Sequence, residues 1–445
     1  MRHERKSRLL IWIVIAVIAS SVSIACADTP SEPMFDPAID SPDEPWCYAA
    51  HSTTVIGMPF VQEPIQVTYD GAIYTRHAEL AFFYGSTLKP LMARSKTFLE
   101  GWIPVVVYDW ADQGVDYHIE IFSAPLPELA AENLVQFARL TMTNHGDAPV
   151  HGVIAAGVRG SAGYYRLGQV RDAITPATRF AIRENHVTRD EKLLYSFSPG
   201  AETFSVRDEP YQGEYRAEEH HITDRATTGF SVYRRALEPG ESFSAEFKMP
   251  RVPMSDQELI AAVTDADYQV KFDETARYWK DLLGGVEFDI PEKRVNDSYR
   301  AALVHLILAT RTQNGRTRQG SGLPYDALFL NDYFDMLLAY DTAGLSEFSE
   351  PNVDWLLSKQ HPSGMFIDVH NRGNDEIVTS HGQGLFALAY HFIMTRDKEY
   401  GRKVYPAIKK GADFIVNDHL THNQYGLIRP SIPYDAPMLT GYHTC

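Results

Sequence analysis

Of 445 residues only three are cysteines, so a framework of disulfides is excluded and stability must come from an apolar core. Neither a CxxC pair nor an HExxH helix occurs, which removes two common zinc signatures. Past the first turns of the chain, no stretch reaches the roughly 18 apolar residues of a membrane-spanning helix. Positive charge is also scarce. Lys and Arg number 41 against 58 Asp and Glu, a formal net charge of −17. Such a surface repels phosphate backbones and anionic lipid, which argues against nucleic acid or a lipid surface as partner. What is plentiful is aromatic side chain, with 24 Tyr, 22 Phe and 6 Trp. Those flat, half-polar rings suit sugar stacking and a large core equally, so composition leaves the choice open.

The N-terminus is the strongest local signal. Basic Met1–Arg8 precedes an apolar run from Leu9 to Ala19, then small residues up to Ala25-Cys26-Ala27. This is a secretory leader over 1–27, with cleavage before Asp28. Ile24-Ala25-Cys26 also reads as a lipobox that would make Cys26 a lipidated first residue, although Ser23 stands where an aliphatic residue is expected. Either reading predicts export to the periplasm, the exterior or a lipid anchor at the envelope, with no transmembrane span in the mature chain. Residues 28–46 are acidic and punctuated by Pro30, Pro33, Pro37 and Pro42, the composition of a tether.

From 47 to 254 the pattern is β. Val115, Tyr117, Ile119 and Ile121 alternate with polar neighbours, and Leu140 to Met142 leads into the turn signal Asn144-His145-Gly146-Asp147. Short strands recur at Val150–Val158, Phe204–Val206, Gly229–Tyr233 and Phe243–Met249, which predicts an antiparallel β-sandwich. The period then becomes helical: a linker helix within 255–289, and helices at Val295–Ile307, Asn331–Tyr340, Pro351–Ser358, Gly382–Thr395 and Glu399–Leu420. Polar loops at Gln313–Pro324, His361–Gly364, Asn371–Asp375 and Thr421–Gly441 alternate with short turns. The pattern predicts stacked helical hairpins with the long loops gathered at one end.

At this point the sequence resembles the six-hairpin glycosidases, the (α/α)6 toroid enzymes that include glucoamylase-like hydrolases. The resemblance rests on Phe288-Asp289-Ile290-Pro291 with Val295-Asn296-Asp297, and on Leu330-Asn331-Asp332-Tyr333-Phe334-Asp335 followed by Ala343-Gly344. Ser358-Lys359-Gln360 with Ser363-Gly364, His381-Gly382-Gln383-Gly384 and Thr395-Arg396-Asp397 complete it. It covers 255–445 by motif and the sandwich by architecture. It implies a multidomain β + α fold in which an N-terminal sandwich precedes a toroid at 290–445. Twelve helices with their connections need on the order of 250–300 residues. About 155 follow Ile290, so the expectation is an incomplete toroid lacking the last hairpins.

Glycoside hydrolysis needs two carboxyl groups flanking the scissile bond. The resemblance places the general acid in the loop after the fifth helix, where Asp435 is the sole carboxylate and Tyr434 could bury it and raise its pKa. A turn aspartate is the plain alternative. The opposing carboxylate would come from the last hairpin, outside this chain. Asp332 and Asp335 sit one helical turn apart and can reach sugar hydroxyls, or the first can simply cap its helix. Arg316, Arg318 and Tyr325 would line the mouth of the site. Asp375 and Glu376 read as loop charges or an acid/base pair. His370, His381 and His391 lack tight ligand spacing, so no metal is expected. Tyr108-Asp109-Trp110-Ala111-Asp112 reads as a turn with a packed tryptophan, or as a glycan contact.

Taken together, these features predict an exported glycoside hydrolase that acts on oligo- or polysaccharide by inversion, without metal or organic cofactor. A toroid glycoside phosphorylase, with phosphate in place of water, is the first alternative. A non-catalytic surface glycan-binding lipoprotein anchored through Cys26 is the second. Polysaccharide lyases typically place the toroid before the sandwich, so the order here argues against them.

Overall fold

The computed structural model describes residues 54–61, 65–68, 71–91, 96–159, 179–204, 215–217, 220–222, 227–286, 290–313, 315–320, 330–366, 368–370, 373–375 and 378–419. Two eight-stranded sheets, antiparallel throughout, form its first part. One sheet runs β1 (Thr54–Ile56), β2 (Ile65–Val67), β3 (Ile73–Tyr74), β4 (Glu79–Tyr84), β10 (Val150–Arg159), β17 (Thr227–Leu237), β14 (Glu202–Phe204), with β5 (Lys89–Pro90) paired to β4. The other runs β11 (Phe180–Arg183), β12 (His186–Arg189), β13 (Lys192–Phe197), β18 (Ser242–Pro250), β9 (Val135–Asn144), β8 (Val115–Ala124), β7 (Ile103–Asp112), β6 (Thr97–Leu99). A small hairpin, β15 (Tyr215–Ala217) and β16 (His220–Ile222), stands apart from both.

The period-2 pattern does what it predicts. On β8 the odd positions Val115, Tyr117, Ile119 and Ile121 are buried, while Asp116, His118 and Glu120 are half-buried on the opposite face. Between the sheets Phe82 meets Phe247 at 5.6 Å, and Tyr84 packs against Trp110 at 5.4 Å and Tyr117 at 5.3 Å. The turn after β9 is organised by Asn144. Its amide nitrogen donates to the Ala148 and Leu237 carbonyls, both at 2.9 Å, and its oxygen accepts the Gly146 N–H at 2.9 Å.

The predicted single linker helix is two helices, α1 (Gln257–Asp265) and α2 (Tyr268–Leu283). The break is chemical. Ala266 leaves helical geometry at ψ 126°, and the Asp267 carboxylate caps α2 by accepting the Val270 N–H at 2.9 Å. α2 then lays Tyr268 and Phe272 on the stacked Phe122–Phe137 pair of the second sheet, and the Arg139 guanidinium sits 3.8 Å above the Tyr268 ring. Trp279 is fully buried in the same cluster, which continues into the later helices, while the interior between the two sheets forms a separate cluster.

Five helices follow among the described residues: α3 (Lys293–Leu308), α4 (Leu330–Thr342), α5 (Ser346–Leu357), α6 (Val378–Thr395) and α7 (Lys398–Phe414). Asn296 of the Val295-Asn296-Asp297 motif is a brace: its amide accepts the Ile290 N–H at 3.1 Å and donates to the Ile290 carbonyl at 2.8 Å. Gly344 at φ 75° ends α4 as expected. The helix expected to begin at Pro351 instead begins at Ser346 and carries Pro351 inside. The proline lies early enough that a single intrahelical donor is lost, and buried Phe348, Val353 and Leu356 hold the helix in place. α7 ends at Phe414 and passes into a π turn over Ile415–His419; the expected end at Leu420 lies outside the described residues.

Candidate active site

α4 and α6 lie side by side and run parallel. Phe334 in the second turn of α4 meets Phe386 midway along α6 at 5.0 Å, and near their ends His391 Nδ1 reaches Asp341 Oδ1 at 2.8 Å. Their N-terminal ends therefore open at the same end of the bundle, where both macrodipoles are positive. The long connections preceding α4 and α6 arrive at that end. The two-to-three-residue turns to α5 and α7 leave from the other. Asp332 occupies the first turn of α4, half-buried, and Asp335 follows one turn later, exposed. Further along the pair Phe386 leaves 49% of its surface to solvent, stacked on Tyr390 at 5.6 Å.

Both long connections contain β-hairpins that the sequence reading treats as loops. β19 (Thr310–Gln313) pairs with β20 (Arg316–Gln319), with Gly315 at φ 71°, and the sequence between the strands is Asn-Gly, a dipeptide that favours hairpins. That dipeptide is the signal the reading missed. The hairpin is pinned by a buried triad: Gln319 Oε1 accepts from Thr310 Oγ1 at 2.7 Å and from the Tyr340 hydroxyl at 2.9 Å. Arg316 is exposed beside the turn, and Arg311 stands opposite Arg318 across the ladder. The second hairpin, β21 (Asp368–His370) with β22 (Gly373–Asp375), immediately precedes α6 and carries His370 and Asp375 on its backbone.

Of the predicted site residues the structure places Asp332 and Asp335 in the first two turns of α4, and Arg316 beside the turn of the β19–β20 hairpin, whose base bonds Tyr340 near the other end of that helix. Asp435, Tyr434, Tyr325 and Cys26 lie outside the described residues, as does Glu376. Among the described residues no group of three His, Cys, Asp or Glu is placed to hold an ion. His381 and His391 are buried with protein partners instead. The 381–384 motif lies inside α6 rather than at its opening. In the sandwich, Trp110 is a core residue stacked on Tyr117 at 5.2 Å, while Asp109 and Asp112 pair with His118 and Lys89.

His118 has an electrostatic consequence of its own. Its Nε2 lies 3.6 Å from Glu120 and its Nδ1 2.7 Å from Asp109, and the imidazole pKa is pushed up to about 9, with the Glu120 hydrogen bond the largest cause. A pKa raised above the unfolded value of about 6.5 adds stability that is full below that pH and lost as pH rises through about 9. The melting temperature should therefore decline between pH 6.5 and 9.5 more steeply in the native chain than in His118→Gln. Equal slopes would show that the pairing does not survive solvent screening at this half-exposed site.

No family model matches the chain. A stretch of 123 residues, 25% of the chain, is 28% identical to an MMP endo-(1,4)-3-O-methyl-alpha-D-mannosidase from Mycolicibacterium hassiacum and covers 34% of it. Among solved structures the fold is similar to a bacterial glucoamylase complexed with acarbose, at 13% identity and TM-score 0.47, covering 85% of this chain and 60% of that one. It is also similar to an inverting mannosidase of family GH92 from Bacteroides thetaiotaomicron, at 12% identity and TM-score 0.32, covering 83% and 55%. A two-sheet sandwich, then linker helices, then helical hairpins is the architecture that the resemblance to six-hairpin glycosidases implies, and the chain spans only part of the length of each of these proteins.

Proposed function

We propose that the protein acts on carbohydrate and hydrolyses glycosidic bonds at the shared N-terminal end of α4 and α6. The observation that carries this reading is the presentation of Asp332 and Asp335 one turn apart at that end, with the exposed ring of Phe386 against Phe334 further along the same pair of helices. Carboxylates that accept sugar hydroxyls and a flat apolar ring that covers a sugar face are complementary to a pyranoside. The mannosidase named above supports the same class of bond. In the mechanism, Asp435 protonates the glycosidic oxygen while a second carboxylate activates water on the opposite face, which inverts the anomeric centre. Neither step calls for a cofactor.

The test uses natural oligosaccharides and activated aryl glycosides in parallel. Assayed with the opposing carboxylate present, Asp435→Asn should lower hydrolysis of the natural substrates by about 10²–10⁴ and that of aryl glycosides far less, because a good leaving group needs no proton. Asp332→Asn should weaken oligosaccharide binding with little change in melting temperature. Unchanged rates in Asp435→Asn remove it from the mechanism, and a collapse of melting temperature in Asp332→Asn makes that residue a structural cap. Arg311, Arg316 and Arg318 on one hairpin favour a second reading, phosphorolysis. It predicts a sugar 1-phosphate product when inorganic phosphate is added to the same assay.

A further inference from the structure

His381 lies one turn inside α6 and is fully buried. Its Nδ1 accepts the Phe366 backbone N–H at 3.0 Å, and its Nε2 faces the Gly411 carbonyl at 3.1 Å. An acceptor at Nδ1 and a donor at Nε2 require the neutral imidazole with its hydrogen on Nε2. The rings around it are apolar, Phe366 at 6.0 Å and Phe414 at 5.7 Å between centroids. Among the described side chains, the charged groups on the packed elements are engaged elsewhere or exposed: on α7 Lys409 pairs with Asp413 and Lys410 is exposed, and on the turn His361 bonds Ser363.

The Phe366–His381 bond joins the two ends of the segment that holds β21 and β22. Phe366 precedes Asp368 by two residues, and His381 follows the start of α6 by one turn. Gly364, just before this stem, packs its carbonyl within 3.3 Å of where a Gly411 side chain would begin, so turn, α6 and α7 meet at this histidine. We propose that His381 is an acid-sensitive latch, a positioning residue that holds the β21–β22 hairpin, and Asp375 with it, beside the N-terminal end of α6. A second proton, on Nδ1, would set two N–H donors against each other, with no carboxylate bonded to the ring among the described residues, so protonation and closure exclude each other. Burial, the largest cause, lowers the His381 pKa below its ordinary value. A lowered pKa gives a latch that is fully closed above about pH 6.5 and weakens as pH falls below it. The latch holds whatever reaction the neighbouring site performs.

Amide hydrogen exchange on the full chain from pH 8 to 4.5, corrected for intrinsic exchange, tests this directly. Opening coupled to uptake of one proton makes protection of the Phe366 amide fall about tenfold per pH unit below about 6.5. Amides of Leu388 and Val404, deep in α6 and α7, should stay level over the same range. His381→Asn keeps an acceptor near the Nδ1 position and does not titrate, so its Phe366 profile should be flat. The proposal is overturned if Phe366 protection tracks Leu388 and Val404 at every pH in the native chain, or if His381→Asn keeps the full pH slope. Should that variant not fold, ring nitrogen-15 shifts of His381 in the native chain decide: a neutral ring with hydrogen on Nε2 at pH 6 supports the latch, and an imidazolium there rejects it.

Discussion

Replacing His391 by alanine should cost the protein about 3–5 kcal/mol in denaturant unfolding, one of the two largest effects expected of a single change here. The partner is Asp341, whose two oxygens lie 2.8 and 3.0 Å from His391 Nδ1. Both side chains are closed off from water, at 4% exposure for the histidine and 1% for the aspartate. The Tyr400 ring covers the imidazole at a centroid distance of 4.4 Å. Removing the imidazole leaves the carboxylate without its donor in that enclosure, a buried polar group with nothing to offset its lost hydration. The double change Asp341→Leu with His391→Leu removes the charge together with its partner and should recover most of the loss. A His391→Ala variant within about 1 kcal/mol of the native chain would show that water reaches Asp341 and that the pair is not enclosed. The pair joins the ends of α4 and α6 opposite the candidate site, so its loss should register in stability ahead of sugar binding.

The strands with clean alternation were legible because half-burial on a sheet prints a period of two into the sequence, as on β8. Helix positions were legible for the same reason, while their edges were not. Pro351 reads as a start because proline suits a first turn, yet tertiary packing of Phe348 and Val353 carries the helix past it. The linker break at Ala266 is invisible to hydrophobic period, since both halves face one core; the cue is Asp267, a capping residue amid helical pattern. At the site, Asp332 and Asp335 follow from helix geometry, whereas the roles of His381 and His391 do not. Each takes its partner from another element, His391 from α4 and His381 from the turn before β21 and from α7. A buried histidine in one sequence carries no mark of what faces it.

The second large effect is expected at Gly364, where alanine should destabilise by several kcal/mol while the same change at Gly344 costs about 1. Both glycines have positive φ, 108° at Gly364 and 75° at Gly344, so both substitutions meet backbone strain of about 1–3 kcal/mol. They differ in what a side chain would touch. At Gly344 nothing lies within 4 Å, whereas at Gly364 the new Cβ would stand 2.4 Å from the Lys410 carbonyl oxygen and 3.0 Å from its carbon. Those are backbone atoms of α7 and cannot swing aside as a side-chain tip would, so overpacking adds about 1–3 kcal/mol more. The approach is further fixed by Gln360, whose amide nitrogen donates to the Gly364 and Ala407 carbonyls, both at 2.8 Å. Pushing the turn away from α7 breaks that bridge and strains the Phe366 stem two residues on. Gly364→Ala should therefore also lower exchange protection at Phe366 at neutral pH, a loss that Gly344→Ala does not share. Equal melting temperatures for the two variants would mean that the turn and α7 part easily, and that the close contact at Gly364 does not hold the second hairpin in place.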